Sequence, residues 1–161
     1  MLERVAAAPM PDWALLQRYA RQPGCYTDSF AVDVDGLVAL PDYARAFYGS
    51  RLFGLERLIL MAWMRQRIPL RDAVAVARGD SARFAAWTAE ARREGELLLC
   101  DLSGRTRSWL AVEPRGVVTR LWFGSAVLPG ADGVLGRGVL ALIPLHTAYS
   151  RALLSAAQRN L

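Results

Sequence analysis

The sequence predicts an α+β domain: a curved antiparallel sheet of five to seven strands wrapped round a long C-terminal helix. Three observations predict it. Before Gly79, apolar residues recur mostly at helical spacing. From Phe84 to Val127 the period falls to two, and Gly- and Pro-containing turns divide the run. From Gly136 to Asn160 a single helical stretch closes the chain. Helices segregated beside an antiparallel sheet define this class.

Each element has its own signal. Trp13, Leu15, Leu16 and Tyr19 predict a short helix over Asp12–Ala20, between Pro11 and Pro23. Residues 1–23 then read as an N-terminal helical extension, and residues 24–161 as the main domain. Cys25 to Val34 mixes aromatic and β-branched residues and reads as a strand ending at Asp35-Gly36. Pro41-Asp42 suits a first helical turn, because proline lacks only a donor that is unused there and a carboxylate complements the positive end. That helix stops near Gly49-Ser50. A second, over Arg51–Arg65, places Leu52, Leu55, Leu58, Ile59, Ala62 and Trp63 on one broad face. A third runs from Leu70 to Ala77.

Four strands follow: Phe84–Arg93, Glu96–Asp101, Thr106–Glu113 and Val117–Val127, joined by tight turns as a meander. Gly36–Leu40 and the Ile68 region are candidates for further short strands. In the terminal helix Val139, Leu142, Ile143, Ser150, Leu153 and Ala157 form one stripe that includes His146.

Bulk properties exclude more than they identify. The 161 residues suffice for one core, with 53% apolar and 22% charged residues. The net charge is +5, carried entirely by arginine, since the chain contains no lysine. The arginines are scattered, without the clustered basic stripe that nucleic-acid binding needs, so no nucleic-acid partner is expected. Cys25 and Cys100 lack metal-ligand spacing and read as reduced thiols, which fits a cytoplasmic location. One His and two Cys do not build a zinc site, so no metal is expected. GxSxG and GxGxxG are absent, and no cofactor is implied. The N-terminus lacks the pattern of a secretion signal. The apolar runs Phe53–Met64 and Val139–Leu145 do not reach transmembrane length, although either is apolar enough to touch a bilayer.

Three stretches carry a family resemblance: Tyr26-Thr27-Asp28-Ser29-Phe30, the Asp101–Trp109 hairpin, and Pro144-Leu145-His146 with Ser150-Arg151-Ala152-Leu153-Leu154. Residues 24–160 resemble the helix-grip fold of the START/SRPBCC superfamily, nearest to a set of bacterial domains of unknown function within it. The resemblance implies a ligand pocket between sheet and terminal helix, and no particular reaction.

The expected register places the candidate site. A turn centred on Ser103 and Gly104 puts Leu99 near Trp109 and Asp101 near Arg107, and Glu113 opposite Val117 puts Arg107 beside Phe123. One face then collects Trp87, Leu97, Leu99, Asp101, Arg107, Trp109, Leu121, Phe123, Ser125 and Val127 toward the helix. Asp101 and Arg107 are expected to form an inward ion pair, either a plain pair at the rim or one whose Arg107 receives an anionic ligand group. His146, the chain's one histidine, is the only imidazole available as a general base, provided it reaches Asp28, Asp101 or Tyr26. Trp87, Trp109, Tyr26, Phe30 and Phe123 either fill the core or offer a wall for a flat or greasy ligand. Leu110, Val112 and Trp122 are left as apolar surface for a partner or a homo-oligomer. The expected function is binding of a hydrophobic or amphiphilic small molecule. The alternatives are a cyclase or dehydratase using the same cavity, and an interaction module without a ligand.

Overall fold

The computed structural model describes residues 3–54 and 69–161. Seven strands form one antiparallel open sheet: β1 (Ala6–Ala7), β2 (Tyr26–Asp35), β3 (Arg83–Phe84), β4 (Trp87–Arg93), β5 (Glu96–Asp101), β6 (Thr106–Arg115) and β7 (Val118–Val127), in the order β1-β2-β7-β6-β5-β4-β3. The helices are α1 (Gln17–Ala20), α2 (Leu40–Tyr48), α3 (Leu70–Arg78) and the long α4 (Arg137–Asn160). Residues 51–54 are helical. The remainder of the helix expected over Arg51–Arg65, with Trp63, and the Ile68 region lie outside the described residues. The architecture is the expected α+β helix-grip-like arrangement, with both additional strands only two residues long. Residues 36–39, one of the two places considered for a further strand, form none.

Proline and glycine set the helix limits as the sequence predicts. Pro41 sits in the first turn of α2, which Gly49 ends. Pro69 precedes α3, and Gly79 closes it at φ +88°, a conformation that costs glycine little. The Asp12–Ala20 helix is shorter than expected. The Leu15 N–H donates to the Glu96 carboxylate at 2.8 Å, which draws it out of a helical ladder, and only Gln17–Ala20 is α-helical.

The sheet has two covered faces. α2 and α4 pack on the inner one, where α4 lies against β2 and β7. Phe30, Val32, Leu97, Leu99, Leu110, Leu121 and Phe123 are buried there with Phe47, Leu153 and Leu154 from the helices. The outer face buries Leu98, Trp109, Ala111, Trp122 and Ala126 beneath Ala14, Leu15, Leu16 and Tyr19. Residues 3–23 thus add β1 to the sheet edge and roof its outer face. Gly124 permits this roof: a Cβ there would stand 2.7 Å from Leu16 and 2.8 Å from the Asp28 carbonyl oxygen.

The β6 register differs from expectation by an odd number of residues on both sides. Leu99 faces Ser108 and Cys100 faces Arg107, while Leu110, not Trp109, shares a row with Phe123. Since alternate residues face opposite ways, all of β6 is turned over, while β5 and β7 keep their expected faces. The causes are the turns. Asp101 accepts the backbone N–H groups of Arg105 and Thr106, which fixes a four-residue loop at 102–105. Arg115 pairs with Val118 across Gly116-Val117, a two-residue hairpin with Gly116 at φ +70°.

Three corrections follow. Arg107 and Trp109 point to the outer face, away from α2 and α4 and toward the N-terminal roof. The inward Asp101–Arg107 pair does not form. Leu110 and Trp122 are buried, and Val112 is half-buried against the inner core, so they offer no open patch. A fourth correction concerns the continuous strand expected over Phe84–Arg93. Ala85, at φ +54°, turns β3 into β4, and a bulge between Ala89 and Ala91 inserts Glu90. Ala89 packs inward and Ala91 outward as a result.

Candidate functional site

Period-two alternation in β2 and β7 builds one wall of the candidate site. Asp28 stands opposite Ser125, and Phe30 opposite Phe123. From α4, His146, Ser150 and Leu153 descend toward this wall at i, i+4 and i+7, the spacing of a single helical face. α2 contributes Phe47 and Tyr48, and β4 contributes Trp87 from across the sheet. Between them is a cavity of about 230 Å³.

The cavity has an aromatic body. Phe47 meets Phe123 at 4.9 Å between ring centroids, Tyr48 meets Phe53 at 4.8 Å, and Trp87 lies 5.9 Å from Phe53. Val127 and Leu153 complete the apolar lining. Its polar end comprises Ser108, Ser125, His146 and Ser150. His146 Nε2 lies 3.0 Å from the Ser125 hydroxyl, 3.5 Å from that of Ser150 and 3.4 Å from Asp28 Oδ2. Asp28 also accepts the Tyr26 hydroxyl at 2.9 Å and the Ser125 N–H at 3.0 Å. Burial raises the Tyr26 phenol above its ordinary value; a Thr147 hydrogen bond opposes this and the Asp28 charge adds to it. This phenol stays a neutral donor at physiological pH.

The geometry limits the chemistry. In a Ser-His-Asp relay the nucleophile and the orienting carboxylate engage opposite ring nitrogens. Here Ser125 and Asp28 both face Nε2, so they compete for one position and no relay exists. The arrangement suits orienting a ligand hydroxyl or amine through Ser125, Ser150 and His146. Among the described residues, no three His, Cys, Asp or Glu side chains converge as metal ligands would.

Of the expected site residues, the structure brings Trp87, Phe123 and His146 together at the cavity. Tyr26 reaches its polar end through Asp28, with its ring edge-on to the His146 ring at 6.5 Å. Phe30 is core, under the Arg151 guanidinium at 5.4 Å. Asp101 closes its turn: burial pushes its carboxyl up, but bonds from Ser103, Thr106 and Arg105 outweigh this and hold it below its usual value. Arg107 borders the cavity, yet its guanidinium bonds Glu90 and the Tyr19 hydroxyl and lies over the Tyr19 ring. Trp109 donates to Glu96 at 3.0 Å. Ser125, expected inward, and Ser150, expected on the His146 stripe, join the site with roles the sequence does not assign; the i+4 spacing from His146 is the signal for Ser150.

No protein-family model matches the chain, and no curated protein matches it.

Proposed function

We propose that the protein binds a small amphiphilic molecule with a flat apolar body, held between the sheet and α4 in the manner the START/SRPBCC resemblance implies. The observation that carries this reading is the single cavity lining that is aromatic on one side and hydroxyl- and imidazole-bearing on the other. Pockets combining an apolar wall with a few convergent polar groups are the usual form of ligand sites. Size narrows the class. A cavity of about 150 Å³ admits benzene, so about 230 Å³ suits one substituted ring rather than a sterol or a long acyl chain. Charge narrows it further. The Arg107 guanidinium that borders the cavity is already held by Glu90 and Tyr19, and the Asp28 carboxylate stands beside His146, which together favour a phenol, alcohol or amine over a carboxylate.

A larger depression of about 750 Å³ lies near Asp35, Asp42 and Arg45, toward the end of α4. It is an open groove without aromatic lining, so it is the weaker candidate.

The test is isothermal titration with para-cresol. One saturable site is expected, abolished by Leu153→Phe, which fills the cavity, and benzoate should bind more weakly. Absence of saturable heat with para-cresol, or binding untouched by Leu153→Phe, contradicts the reading.

A further inference from the structure

We propose that the first half of α4 is a docking element for an anionic lipid surface. This goes beyond the cavity and does not depend on what the cavity holds.

The buried residues of α4 all lie in its second half: Ser150, Leu153, Leu154, Ala157 and Gln158. The first half is apolar and open to solvent. Leu140 is 50% exposed, Leu142 60% and Leu145 68%, and Val134 just before the helix is 57% exposed. Isolated exposed leucines are ordinary, but a contiguous exposed apolar segment on one helix end marks an interaction surface. Among the described residues, α4 is also the one helix with the length and apolarity of a membrane span, with only 17% of its most apolar window buried. Its second half is committed to the core, so the segment is available to lie in an interface rather than to cross.

Position supports this. His146 sits against Asp28 and Ser125, while near the other end the Gln158 amide lies beside Asp33 and bonds the Glu3 backbone, and Asn160 donates to the Ala46 carbonyl. The helix therefore runs alongside β2, and residues 137–145 extend about 13 Å back from His146. β2 continues only two residues beyond Asp28, about 7 Å. The helix tip thus projects past the sheet. The turn at 102–105, with Leu102 63% exposed, lies at the same end, where Arg105 bonds the Leu128 carbonyl.

Charge selects the partner. At this end the charged side chains are Arg105 and Arg137 with Asp132 and Asp101, the latter turned into the 102–105 turn that it caps. The whole of α4 contains three arginines and no carboxylate, and the chain carries +5. Apolar side chains beside guanidinium groups match the acyl-headgroup boundary of an anionic bilayer.

The experiment is co-sedimentation of the intact protein with vesicles of phosphatidylcholine alone and of phosphatidylcholine mixed with an equal part of phosphatidylglycerol. Binding to the mixed vesicles is expected, weakening as salt rises. The triple variant Leu140→Ser/Leu142→Ser/Leu145→Ser should lose at least about tenfold in partitioning with an unchanged circular dichroism melt, since these side chains are exposed. Arg105→Glu/Arg137→Glu should lose about tenfold on mixed vesicles. Equal binding to both vesicle types, no binding to the mixed vesicles, or full retention by the leucine variant would each overturn the proposal.

Discussion

Glu96 and Trp109 are joined by a buried hydrogen bond, from the indole N–H to the Glu96 carboxylate at 3.0 Å. The same oxygen accepts the Leu15 backbone N–H at 2.8 Å. One carboxylate thereby ties the N-terminal roof to the centre of the sheet. Replacing it with leucine leaves two buried donors unpaired, at a cost of about 3 kcal/mol. Glu96→Leu should show this in urea unfolding and should speed amide exchange across residues 8–20. A loss below about 0.5 kcal/mol would show that the roof is held by apolar packing alone.

Gly124 is fixed by what crosses it. A methyl group at this position meets the Asp28 carbonyl oxygen, which cannot yield without moving β2. Gly124→Ala should destabilise by about 2 kcal/mol, a typical cost of overpacking. A neutral result in thermal unfolding would mean that the strands part without strain.

At Ala85 a non-glycine residue holds φ +54° at the first central position of the β3–β4 hairpin. Left-handed backbone costs an alanine about 1 kcal/mol, and glycine avoids it. Ala85→Gly should raise stability by about 0.5–1 kcal/mol, read as a higher urea midpoint with an unchanged slope. A lower midpoint would contradict this.

Stability against pH should fall at both ends, for separate reasons. Hydrogen bonds from Arg120, at 2.6 and 2.8 Å, hold the Asp33 carboxyl below its usual value, and Asp101 is lowered as well. A depressed carboxyl contributes stability that is present above its unfolded value near 3.9 and is lost as pH falls through the folded value. The melting temperature should therefore stay level down to about pH 5 and then drop. Asp33→Asn should flatten that acid slope. On the alkaline side, burial first and then Tyr48 push the Tyr43 phenol well up, and its hydroxyl donates to the Trp122 carbonyl at 3.0 Å. A raised phenol favours the folded state below its unfolded value of about 10, and that stability is lost as pH rises further. Tyr43→Phe should reduce the alkaline loss. Slopes that neither variant alters would contradict both assignments.

Much of the fold was legible because its signals are local. Pro41, Gly49, Pro69 and Gly79 bound α2 and α3 wherever the rest of the chain goes, and the Glu96–Asp101 apolar run marks β5 to the residue. The face of β6 was not legible. It turns on whether loop 102–105 holds an even or odd number of residues, and that is decided by Asp101 capping the loop. The Glu90 bulge leaves a sequence that still alternates, so Ala91 looks like an inner residue until its partner is known. The roof by Leu15 and Leu16 depends on Glu96, 81 residues from Leu15 in the chain. In the site, His146 was identifiable as the one imidazole, and Asp28 and Tyr26 as partners it would need; that Ser125 and Asp28 share one ring nitrogen is a tertiary fact.

The most direct measurement of the central claim is a methyl and indole NMR titration with para-cresol. The account predicts saturable shifts at Val127, Leu153 and Trp87, with Leu37 and Leu70 unmoved. Shifts confined to Leu37, Val38 and Leu70, which line the open groove, or no saturable shift at Val127 and Leu153, would contradict it.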